Sequence, residues 1–154
     1  KGYGANSLRW RAPPCNINES VISAILQHQV SFVDNTVIDK KNILQATFDA
    51  MHNCLDKLST PIDMILVDGD KFRKYHDIDY KCVVKGDQTY VSIAAASILA
   101  KHARDQYMIE QSKVYPNYNW ENNMGYGTKA HNEAIMKHRL TPLHRKTFCT
   151  KFVS

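Results

Sequence analysis

The sequence predicts an α/β domain, and three observations carry that expectation. An amphipathic helical stretch runs into a short apolar segment, IDMILV at 62–67, closed by Asp68-Gly69. A helix leading into a buried strand is the repeating unit of a parallel sheet. A second strand-like run, YKCVV at 80–84, precedes a long helical segment over 91–111. The chain's 154 residues suit one domain with one core.

Residues 1–19 have no clear period, and Pro13-Pro14 forbids regular structure there, so an irregular arm is expected. Residues 20–28 suit a short helix with Val21, Ile22, Ile25 and Leu26 on one face. QVSFVD at 29–34 alternates and suits a strand. Asp39 to Leu58 is the clearest amphipathic helix. Ile43, Thr47, Met51, Cys54 and Leu58 recur at helical spacing, Asp39 is a candidate N-cap, and Pro61 lies just past the end. In the long helix the first half, VSIAAASILA, is apolar all round and is expected to be enclosed. An aromatic, Asn- and Gly-rich loop fills 115–127. Thr128 caps a helix that ends before Thr141-Pro142, and residues 149–154 close a basic tail.

Lys plus Arg number 20 against 15 Asp plus Glu, a net charge of +5, with a pI near 9.0. That balance suits a polyanionic partner and many other basic proteins besides. The cysteines, Cys15, Cys54, Cys82 and Cys149, show neither CxxC pairing nor zinc spacing, so reduced thiols are expected. No apolar run is long enough to span a bilayer, and Lys1 to Asn18 has no signal-peptide core. A soluble, cytoplasmic protein is the expectation.

Three features could carry chemistry. Asp68 sits at the carboxyl end of a strand, where sites form in open parallel sheets, although aspartates also simply initiate turns. Ser97, Lys101 and Asp105 share one helix face; Asp105 could ligate a metal or merely pair with Lys101. Gly125 and Gly127 leave the Tyr126 ring free to stack on a sugar or base, or to pack against the domain. Lys129, His131, His144, Arg145 and Lys146 are near enough in sequence to meet phosphates.

The order and wording of these features carry more than each alone. LVDGDKF (66–72), VVKGD (83–87), SIAAASILAKHARD (92–105), YPNYNW (115–120), GYGTKAH (125–131) and LTPLHRKTF (140–148), preceded by IDKKNILQATFDAM (38–51), resemble bacterial-type ribonuclease HII. The resemblance covers residues 21–148, so a ribonuclease HII-like domain is expected over 20–148 between the arm and the tail. It implies an RNase H-like fold, a mixed sheet flanked by helices. It implies a site of four carboxylates holding two Mg²⁺ or Mn²⁺ ions. Asp68 and Asp105 take the positions of catalytic and metal-binding carboxylates. Tyr126 is implied to pack on the deoxyribose at an RNA–DNA junction, and Lys85, Ser97, Lys101, Lys129 and Arg145 to contact phosphates or support the site.

The activity implied is hydrolysis of the RNA strand of RNA–DNA hybrids, and of single ribonucleotides embedded in duplex DNA. The products carry 5′-phosphate and 3′-hydroxyl ends, and the family is usually monomeric. Neither the family's GxDExGRG-like motif, which supplies the other two carboxylates, nor its DSK motif occurs in the chain. The expectation is therefore a chain lacking the N-terminal strands of the fold, with an unpaired edge on the VDG strand. It would bind metal weakly and have little or no activity. A catalytically dead remnant that binds RNA–DNA hybrids is the alternative.

Overall fold

A computed structural model describes residues 27–152. Helix α1 spans Asn35–Lys41 and α2 Ile43–Leu55. They are followed by strands β1 (Met64–Asp68) and β2 (Asp79–Val83), the long helix α3 (Val91–Val114), a short α4 (Trp120–Asn123) and α5 (Lys129–His138). Short 3-10 turns cover Gly86–Gln88, Pro116–Tyr118, Lys146–Phe148 and Thr150–Phe152.

The two strands pair in parallel, with Asp68 opposite Val83 at their carboxyl ends. Among the described residues β1 pairs with β2 alone. Ile65 and Val67 are buried on one face of β1, whereas Met64 and Val84 are 58% and 68% exposed. Phe48 of α2 meets Phe72 edge-on at 6.1 Å, and Phe72 meets Tyr80 of β2 at 5.3 Å, which joins helix and sheet.

A second cluster forms around Tyr118, Trp120, Ile135 and Cys149, with Met108, Leu140, Leu143 and Phe152 packed against it. Residues 149–152 thus pack onto the domain. Two long-range clasps hold the C-terminal segment to α1. The Asn35 amide donates to the carbonyls of Pro142 and His144, both at 2.9 Å, and Asp39 accepts from the Lys146 N–H at 3.1 Å and from the Thr147 hydroxyl.

Four expectations are corrected. Residues 29–34 form no strand: no partner strand pairs with them among the described residues, and Phe32 instead packs on Tyr107 of α3 at 5.3 Å. The single helix expected over 39–58 is two, because Asn42 adopts φ 75° and caps α2 through a side-chain bond to the Gln45 N–H. Asp39 is accordingly not an N-cap; Asp34 caps α1 by accepting from the Thr36 N–H at 2.7 Å. The apolar half of α3 is not enclosed: Ile93 and Ala95 are buried, but Val91 is 78% exposed. Thr128 does cap α5, accepting from the His131 N–H at 3.2 Å. The helix expected over 20–28 and the arm over 1–19 lie outside the described residues, apart from Gln27 and His28, which are not helical.

Candidate nuclease site and nucleic-acid interface

Parallel pairing brings the carboxyl ends of β1 and β2 to one side, and the chain exploits this with two glycines. Gly69 follows Asp68 at φ 120°, a conformation that side chains rarely adopt, and its N–H donates to the Val83 carbonyl at 3.0 Å. Past β2, Lys85 takes a left-handed turn at φ 56° and delivers Gly86 against the first strand. The Gly86 N–H then donates to Asp68 Oδ1 at 2.9 Å. Gly86 is buried, and a Cβ there would lie 2.6 Å from Ile93 Cδ1 and 3.6 Å from Asp68 Oδ1. A backbone donor fixes one oxygen of an exposed Asp68 carboxylate, and the half-buried Asp87 is the very next residue. Lys85, exposed, stands at the same end.

Asp105 stands on α3. Ile93 sits over Gly86, and Asp105 follows it on the same helix about 18 Å farther along the axis, at 1.5 Å per residue. Its carboxylate is held by Lys101 and lies 3.7 Å from the Arg104 guanidinium. Asp87, directly after Gly86 in the turn, is an acidic residue that the sequence reading passed over. Its signal was present: LVDGD and VVKGD both end an apolar strand with Gly and Asp.

The second grouping is built on Arg104. Its Nη2 donates to the Met124 carbonyl at 2.8 Å, and its guanidinium carbon lies 4.6 Å from the Tyr126 ring centroid. Nη1 of Arg104 and Oδ1 of Asp105 are buried and make no hydrogen bond among the described residues. Tyr126 is 39% exposed. Gly125 beside it needs its glycine: φ is 73° and a Cβ would meet Met108 Cε at 3.1 Å. Arg145 stacks on Phe148 at 3.8 Å, and burial lowers its pKa from the ordinary value. Ser97, Lys101 and Lys129 are exposed, Lys129 within 3.9 Å of Glu133.

Beneath the Tyr126 loop lies a buried polar cluster. His131 and His144 are 5% and 8% exposed and approach through their Nε2 atoms at 3.2 Å. Desolvation, helped by His131, pushes the His144 pKa down to about 4. The Tyr118 hydroxyl is shared between the carbonyls of His138 at 3.2 Å and Arg139 at 2.7 Å, fastening the end of α5.

The ribonuclease HII profile matches residues 14–151, nearly the whole chain. The chain belongs to the ribonuclease HII family. A ribonuclease HII of Parabacteroides distasonis is 53% identical over 119 residues, covering 77% of this chain and 60% of that relative. Ribonuclease HII of Phocaeicola vulgatus is 49% identical over 132 residues (86% and 66%), and that of Cytophaga hutchinsonii 43% over 133 residues (86% and 66%). The chain thus spans less than two thirds of the length of these ribonuclease HII relatives. Among the described residues no group of three or more His, Cys, Asp or Glu is placed to hold a metal ion, and no helix is long and apolar enough to cross a membrane.

Proposed function

We propose that this chain works as part of a metal-dependent endonuclease that hydrolyses the RNA strand of RNA–DNA hybrids and cuts at single ribonucleotides embedded in duplex DNA, leaving 5′-phosphate and 3′-hydroxyl ends. The observation that carries the reading is the Asp68 carboxylate, fixed by the Gly86 N–H at 2.9 Å with Asp87 adjacent, at the shared carboxyl ends of two parallel strands. Asp68 and Asp87 would hold Mg²⁺ or Mn²⁺, because hard cations take carboxylate oxygens and share the rest of their coordination with water and substrate phosphate. When bound, such ions activate the attacking water and stabilise the leaving oxygen. Two carboxylates neutralise one divalent ion, not two, so the isolated chain has weak metal affinity and little or no turnover.

The family resemblance suggests roles for the remaining residues, and their charge and exposure are compatible with them. Lys85 faces a phosphate beside Asp68. Tyr126 offers a ring face to the deoxyribose, backed by Arg104, while Lys101, Ser97, Lys129 and Arg145 contact the backbone. Asp105 orients Lys101 and Arg104 rather than binding the ion. The 2′-hydroxyl separates RNA from DNA at the cleavage position. The protein acts as a monomer in the cytoplasm.

Calorimetric titration of the purified chain with Mn²⁺, alongside cleavage assays on a duplex with one ribonucleotide, tests the reading. Weak Mn²⁺ binding is expected, lost in Asp68→Asn and Asp87→Asn and retained in Asp105→Asn. Binding that survives Asp68→Asn would overturn it. Salt-dependent capture of RNA–DNA hybrid with no Mn²⁺ binding at all would favour the catalytically dead binder.

A further inference from the structure

The hydrogen bonds around His131 and His144 determine where each proton sits. The Thr141 N–H donates to His144 Nδ1 at 3.0 Å, and the Thr141 hydroxyl lies 2.8 Å from the same nitrogen. That nitrogen therefore carries no proton, and neutral His144 holds its proton on Nε2. Nε2 faces His131 Nε2 at 3.2 Å, and the Trp120 indole N–H donates to that same His131 nitrogen at 3.2 Å. Two donors converging on one ring nitrogen require it to be bare. His131 then carries its proton on Nδ1, which lies 2.9 Å from the Tyr126 carbonyl oxygen. A directed run of donors thus leads from Thr141 through both imidazoles to the backbone of the exposed tyrosine.

We propose that His131 and His144 are positioning residues, a neutral pair in opposite tautomers that locks the Tyr126 loop so that its ring meets the nucleic acid in one orientation. The Tyr126 carbonyl accepts from two donors, the His131 ring and the Thr128 N–H at 2.8 Å, so both its lone pairs are committed. The Arg104 guanidinium supports the ring itself. His144 is held in turn by its own backbone, since the Asn35 amide donates to its carbonyl at 2.9 Å. The cluster therefore ties α1, the C-terminal segment, α4 and α5 to one loop. This inference rests on the reading of Tyr126 as a nucleic-acid contact.

Two measurements on the full chain test it. Histidine ¹⁵N–¹H long-range spectra at pH 7 should show His131 protonated on Nδ1 alone and His144 on Nε2 alone. Both rings protonated on Nε2, or either one doubly protonated, would overturn the proton order. Second, affinity is compared for a duplex carrying one ribonucleotide and an all-DNA duplex. His131→Phe should reduce the preference about tenfold, a change of about 1.4 kcal/mol. His131→Asn, whose amide can reach the Tyr126 carbonyl, should recover most of it. Equal loss in both variants, or no loss in either while Tyr126→Ala abolishes the preference, overturns the positioning role. An unchanged preference in Tyr126→Ala instead overturns the reading of Tyr126, and the positioning role falls with it, whereas the tautomers are scored independently. The spectra need no variant, so a substitution that fails to fold does not shield the proposal.

Discussion

Acidification should destabilise this domain between pH 6.5 and 4, chiefly through His144. Its imidazole is 8% exposed and faces His131 at 3.2 Å and the Tyr118 and Trp120 rings at 5.2 and 5.5 Å, none of them an anion at neutral pH. No anion in contact offsets the water the cation would lose, so desolvation, reinforced by His131, outweighs the smaller upward pull of the Thr141 backbone hydrogen bond, and its pKa falls from 6.5 to about 4 in the folded protein. Below pH 6.5 the unfolded chain takes up a proton that the folded chain refuses, so stability is complete above that value and declines until about pH 4. At 1.36 kcal/mol per unit the decline amounts to about 3 kcal/mol, a large share of a stability on the order of 5–15 kcal/mol. Asp34, Asp39 and Asp49 have lowered pKa values because Thr36, Thr147 and Lys41, respectively, hydrogen-bond to their carboxylates. Their contributions are present above 3.8 and lost as pH falls below it, so they shape the curve under pH 4. Urea unfolding followed by far-ultraviolet circular dichroism at several pH values measures the slope. His144→Phe should flatten it by about one proton in this window. A variant whose slope matches that of the parent would refute the reasoning.

Gly86→Ala should destabilise the domain by about 1–3 kcal/mol through overpacking and weaken Mn²⁺ binding, since the new methyl meets Ile93 Cδ1 at 2.6 Å and Val83 Cβ at 3.3 Å. Thermal melts and metal titration read the two effects separately, and an unchanged melt would show that the turn yields freely. Trp120→Ala removes a side chain only 2% exposed at the centre of the aromatic cluster and should cost about 3–5 kcal/mol in urea unfolding. A loss below about 1 kcal/mol would move the core elsewhere.

Legibility differed from element to element for physical reasons. The strand ending at Asp68 and the helix beginning near Val91 were readable because apolar runs and periodicity are local properties. The break at Asn42 was hidden, because the apolar stripe of IDKKNILQATF continues across it and a positive φ at asparagine leaves no sign in the pattern. Alternation at 29–34 suggested a strand, but a strand exists only where a neighbour accepts its hydrogen bonds. Asp105 was paired with Asp68 because both are acidic residues in family-like motifs. The rise of α3 puts Asp105 about 18 Å beyond Ile93 along the axis, and the turn after β2 lays the Gly86 N–H, with Asp87 next in sequence, against Asp68.

Residue order alone was enough to settle the family and the α/β class, because motif wording and apolar spacing are written directly along the chain. It also singled out Asp68 and Tyr126 as residues worth following. Tertiary structure decided which backbone N–H holds the Asp68 carboxylate, which arginine lies under Tyr126, and that His131 and His144 share one buried nitrogen-to-nitrogen contact. Those choices depend on parallel register, helix length and the closing of long loops, and such distances exist only once the chain has folded.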